Sequence, residues 1–112
     1  MIKITYYRTK HRVKTEGHAL SAGEKTDDDE GRRLICSAVT ALVRTLAKNC
    51  VNAETDKRMR DVNIVLDKGM SDISCVAPKK LDGVVTLIFD TVCVGFDILA
   101  HQFPEIVAFQ VL

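Results

Sequence analysis

Leu81, Val85, Ile88, Val92, Phe96, Leu99 and Phe103 recur at three- and four-residue spacing until Pro104, which lacks the N–H that a continuing helix would use. The stripe predicts a helix from about Leu81 to Phe103 with one long apolar face, and such a face needs a second layer to cover it. The rest of the chain supplies that layer. Ile2, Ile4 and Tyr6 alternate with polar residues over 2–8, and Val62, Ile64 and Leu66 do the same further on. After the turn signal Asp67-Lys68-Gly69, Ile73, Cys75 and Ala77 complete a hairpin that Pro78 ends. Residues 10–16 are polar and read as a strand solvated on one face; Ile106 to Leu112 reads as a short terminal strand. A second helix, from about Leu34 to Asn49, carries Ile35, Val39, Leu42, Val43 and Leu46 on one stripe, and a polar connector follows from Asn52 to Arg60. The order β-β-α-β-β-α-β predicts a small α+β domain over 1–112, a mostly antiparallel sheet with two helices on it.

With 112 residues the chain has room for a single core, and 46% apolar with 28% charged residues excludes a disordered chain. The net charge of +1 hides a basic stretch (Arg8, Lys10, Arg12, Lys14), an acidic run from Asp27 to Glu30, and a second basic group (Lys57, Arg58, Arg60). A domain built to grip nucleic acid carries a larger positive excess, so these clusters read as solvated surface and direct nucleic-acid binding is not expected. Met1 to Arg8 has no signal-peptide core, and the apolar stretch from Val84 to Ala100 is broken by Asp90 and Asp97 and falls short of a bilayer span. The expectation is a cytoplasmic protein with no membrane partner, its cysteines at 36, 50, 75 and 93 reduced. With no Cys-x-x-Cys and no His-x-x-x-His, neither a metal nor a cofactor is expected.

The chemistry concentrates at Cys36. It falls where an irregular charged segment, Leu20 to Arg33, gives way to the first apolar-periodic helix. A helix start offers free N–H groups and the positive end of the dipole, which favour a thiolate, and a histidine within reach completes a nucleophile and base pair. His18, in Gly17-His18-Ala19, is the candidate partner. His11, in a charged strand, reads as solvent-exposed, and His101 as a partner for the last carbonyls of its helix. Cys50, Cys75 and Cys93 read as small buried apolar residues.

Gly17-His18-Ala19, then Gly31-Arg32-Arg33-Leu34-Ile35-Cys36-Ser37-Ala38-Val39-Thr40-Ala41-Leu42, resembles the ribosomal-processing cysteine proteases of the Prp (YsxB-like) family. Those proteins carry a Gly-His-Ala element, a loop, and a Val-Cys-Ala-Ala-Val-Ser-Ala-Leu-like helix start. The segment from Gly95 to Glu105 is similar to the family's second helix running into an aromatic-Pro-Glu end. The resemblance implies a homodimeric thiol endopeptidase that trims a short N-terminal extension from a large-subunit ribosomal protein, or from a phage structural protein with a similar leader. It implies Cys36 as nucleophile and His18 as general base and then acid. The backbone N–H groups of Cys36 and Ser37 become the expected oxyanion donors, and Gly17, Ala19, Gly31 and Arg33 the substrate-facing neighbours.

Two departures stand out. Arg33 occupies a position, three before the cysteine, that is usually acidic in the family, which makes Cys36 and His18 a dyad. The loop between them is also longer than usual, with Lys25 to Glu30 as the inserted part. Two other classes compete. One is a non-catalytic module that binds the ribosome or a ribosomal protein. The other is an RNA-binding domain using the Arg8 to Lys14 cations, which has few aromatic residues for stacking beyond Tyr6 and Tyr7.

Overall fold

The computed structural model describes residues 1–17 and 29–112. The strands are β1 (Ile2–Tyr7), β2 (Arg12–Glu16), β3 (Arg60–Asp67), β4 (Met70–Val76) and β5 (Val107–Val111), and the helices are α1 (Asp29–Thr55) and α2 (Asp82–Gln102). They form one five-stranded sheet in the order β3-β4-β2-β1-β5. Three neighbouring pairs are antiparallel, and β1 with β5 is parallel. The expected element order and α+β class are what the structure has. Each helix is a crossover: α1 connects β2 to β3 with β4 lying between them, and α2 connects β4 to β5 across β2 and β1.

Alternation places Ile2, Ile4 and Tyr6 of β1, Val13 of β2, and Ile73 and Cys75 of β4 on one buried face. Ile35, Val39, Val43, Leu46, Cys50 and Ala53 of α1 and Val85, Phe89, Val92 and Phe96 of α2 close over it. Most of the predicted stripe residues are therefore in the core or packed against it, with Phe89 added, while Leu66 and Phe103 are exposed. Phe89 stacks on Tyr6 with ring centroids 6.1 Å apart. Where the helices cross, a Cβ on Gly95 would meet the Leu42 methyls at 2.9 Å, so the missing side chain lets them approach.

Three boundaries and one reading of length differ from the sequence analysis. Residues Arg8–Lys10 make a 3-10 turn and His11 takes a left-handed conformation (φ 48°), so β2 starts at Arg12. The helix α1 starts at Asp29, not near Leu34. Glu30, in the first turn, favours the helix through the dipole and works against the cost of Gly31. It continues to Thr55 because Cys50 and Ala53 prolong the buried stripe past the polar Asn49 and Asn52. Finally, α2 and Glu30–Thr55 are each long and apolar enough to cross a membrane. Length is therefore no argument against a span; the packing of both helices onto the sheet is what marks them as core elements.

Candidate active site

Cys36 lies seven residues into α1, half-buried, with its neighbours Val39 and Val43 in the core. On one side it lines a cleft of about 320 Å³ between α1 and the β3–β4 turn, whose opposite wall includes Gly17, Lys68 and Gly69. Two local features build that wall. Lys68-Gly69 closes the hairpin with Gly69 at φ 78°, and the Gly17 N–H donates to the Gly69 carbonyl at 2.9 Å. Gly17 itself has φ 98°, and a Cβ there would fall on the Met1 carbonyl oxygen. Only glycine fits this corner, which sets where the chain leaves β2. Beneath it, the Thr15 and Ser71 hydroxyls satisfy each other at 2.5 Å on the buried face of the sheet.

The four cysteines divide clearly. Cys50, Cys75 and Cys93 are buried, and burial pushes their thiols up to about 12, 11 and 12 respectively. They remain protonated at neutral pH and have no access to a substrate. Cys36 is the half-exposed one.

One expectation about Cys36 is corrected. In a helix that begins at Asp29 the N–H groups of Cys36 and Ser37 belong to the i to i−4 ladder, not to the free first turn. They are not spare oxyanion donors, and the dipole effect, confined to the terminal turn, does not reach the thiol. Thr40 donates its hydroxyl to the Cys36 carbonyl at 2.9 Å, a second tie within the same ladder.

The other predicted residues separate. Gly17 shares the cleft with Cys36. Arg33 and Ser37 are exposed and lie on the outer face of α1, lining a shallow groove with Cys36, Thr40, Ala41 and Arg44. Gly31 sits in the first turn of α1 and lines neither surface. His18 and Ala19, most of the Leu20 to Arg33 segment, and Asp27 and Asp28 of the acidic run lie outside the described residues. Thr40 and Arg44 were missed by the sequence reading; their i+4 and i+8 spacing from Cys36 was the available signal.

The remaining histidines part from one another. His11, expected at the surface, is buried: its left-handed backbone turns the ring inward, where Nε2 lies 2.9 Å from the Thr86 hydroxyl and 3.6 Å from Asp82. His101 Nδ1 lies 2.9 Å from the Asp97 carbonyl near the end of α2, as expected. Two of the four cations in the N-terminal basic stretch are committed to carboxylates. Arg8 donates to both oxygens of Asp90 at 3.0 and 2.9 Å, and Arg12 to both of Asp72 at 2.9 and 2.6 Å. Tyr6, one of the two candidate stacking residues, is buried with its hydroxyl donated to Asp90.

Comparison with known proteins bears on this arrangement. A family model described as cysteine protease Prp matches residues 1–108. The crystal structure of SMU.848 from Streptococcus mutans is similar over 100% of this chain and 94% of that one, at 30% identity and a TM-score of 0.66. The essential ribosomal processing protease Prp from S. aureus, solved in complex with a substrate peptide, covers 100% of both chains at 17% identity and a TM-score of 0.66. The same protease with a covalently linked product peptide covers 99% of this chain and 97% of that one, at 22% identity and a TM-score of 0.63. No curated protein matches the chain.

Proposed function

Because the chain belongs to the Prp family of cysteine proteases, we propose that it is an endopeptidase whose nucleophile is Cys36 and whose general base is His18. The observation that carries this is the position of Cys36: the half-exposed thiol of the four, on a cleft whose far wall is Gly17, the residue preceding His18. His18 takes the thiol proton, and the sulfur attacks the scissile carbonyl. The C–N bond breaks as the protonated histidine returns the proton to the leaving amine, and water activated by the same histidine hydrolyses the thioester. Arg33 stands where a third, acidic member would be, so the pair acts as a dyad.

The substrate is the N-terminal extension of a large-subunit ribosomal protein, or of a phage structural protein with a similar leader. The peptides bound to the S. aureus protease support a peptide in this cleft. The protein works in the cytoplasm, where its thiols stay reduced. It acts as a homodimer, supported by an apolar stripe left open on α2: Val84, Leu87, Val94 and Ile98 are exposed.

Incubation with the ribosomal proteins of its source, followed by mass spectrometry, should reveal one shortened N-terminus. Cys36→Ala and His18→Ala should each abolish it while leaving the fold intact. Iodoacetamide at neutral pH should label Cys36 far faster than the other three thiols. Equal slow labelling, or a substrate bound but never cut, would leave a non-catalytic binding module.

A further inference from the structure

Between Gly31 and Ala53 the helix α1 carries Arg32, Arg33, Arg44 and Lys48 and no acidic residue. Arg33 and Arg44 flank the thiol on the exposed face of α1, and Arg44 also reaches the cleft on the other side, so both surfaces open to Cys36 share it. Among the described residues neither arginine makes an ion pair. This contrasts with Arg8 and Arg12, each of which holds a carboxylate with two hydrogen bonds. Across the cleft stand Asp67 and Lys68, which offset each other. Glu30 lies one turn before Arg33, at the far end from Arg44. Among the described residues the groove beside the thiol is therefore positive, and its guanidinium donors have no carboxylate to bind.

Arg44 is eight residues from Cys36, about 12 Å along the helix axis at about 1.5 Å per residue. An extended peptide covers that distance in about four residues at about 3.3 Å each. Arg33 lies on the opposite side of the thiol, within one turn. We infer that the cleft selects a peptide with an acidic side chain about four residues from the bond that is cut, held by the Arg44 guanidinium, while Arg33 favours acidic or polar residues beside the bond. A planar fork binding both carboxylate oxygens gives this selection geometry as well as charge. The inference rests on the proteolytic reading of Cys36.

A proteome-derived peptide library digested by the protein, with new N-termini read by mass spectrometry, tests it. Asp and Glu should be enriched at one position three to five residues from the cut. For a peptide with Asp there, Arg44→Gln should lower kcat/KM by about tenfold, while the Asn counterpart changes little. Arg44→Lys should keep part of the preference, and raising the salt should shrink it. Cutting without acidic enrichment, or enrichment that survives in Arg44→Gln, overturns the inference and leaves the protease. No cutting by the unmodified protein removes both. Iodoacetamide labelling of Cys36 in each variant reports that the cleft has kept its shape.

Discussion

Asp90 receives three hydrogen bonds, one from the Tyr6 hydroxyl at 2.8 Å and two from Arg8, and these hold its carboxyl below the usual carboxylate range, Arg8 contributing most. The guanidinium of Arg12 does the same for Asp72. A carboxyl whose folded pKa is depressed adds stability that is complete above its unfolded value, about 3.9, and is lost as the pH falls through the folded one. The urea midpoint should thus be flat from neutrality to about pH 5 and fall below about pH 4. Asp72→Asn with Asp90→Asn should lower the neutral plateau and flatten the acid slope; an unchanged slope would mean other carboxylates set the acid limit. His11 makes a separate case. Its buried ring has the half-buried Thr86 hydroxyl as a partner, so Thr86→Val, which keeps the shape, should cost about 1–2 kcal/mol in chemical denaturation. Cys36 stood out as the candidate nucleophile from its neighbours in sequence, but His11 was not legible as a core residue. Burial there depends on one left-handed residue between a 3-10 turn and a strand, and charged flanks at 10 and 12 conceal it.

At the scale of elements, periodicity located both helices and β1, β3 and β4, because the spacing of apolar residues records the face turned to the core; β2 was read from a polar stretch and β5 from its place after Pro104. Helix ends left a weaker trace. The first turn of α1 is charged and has little apolar side chain to mark it, so the expected start fell near Leu34 and the thiol was placed at a terminus it does not occupy. The wall facing Cys36 was invisible for another reason: Gly17 and the Lys68-Gly69 turn are some fifty residues apart and meet only through the β2–β4 pairing. The helix crossing gives a test of packing. At Gly95, Ala gains up to about 1 kcal/mol of helix propensity. Its Cβ displaces only the mobile end of Leu42, so Gly95→Ala should stay within about 1 kcal/mol of the parent. Gly95→Leu must push α1 and α2 apart and should cost about 1–3 kcal/mol in thermal or urea unfolding. A neutral Gly95→Leu would mean that the two helices are not held at this distance.

Over the whole molecule, the two helices differ in what they turn outward. The outer face of α1 around Cys36 holds Arg33, Ser37, Thr40 and Arg44, which suits contact with a polar chain. The outer face of α2 holds Val84, Leu87, Val94 and Ile98, with Leu87 65% and Val94 57% exposed. Thr91, between them, gives its hydroxyl back to the Leu87 carbonyl at 2.7 Å and so spends its polar group within the helix. The spacing 84, 87, 91, 94, 98 alternates three and four residues, the repeat by which two helices interlock. In the proposed homodimer a self-complementary surface of this kind would close a two-fold axis, with the stripe of one copy against the same stripe of the other. A single charge at its centre would then be buried twice, once per subunit, facing its own image. Leu87→Asp and Val94→Asp should therefore convert a dimer into a monomer in analytical ultracentrifugation, while Arg44→Asp, on α1, leaves the mass unchanged. Because this face is separate from the Cys36 cleft, the monomeric variants should still label at Cys36 with iodoacetamide at the parent rate. A Leu87→Asp protein that still sediments as a dimer would place the interface elsewhere, and the α2 stripe would then need another occupant.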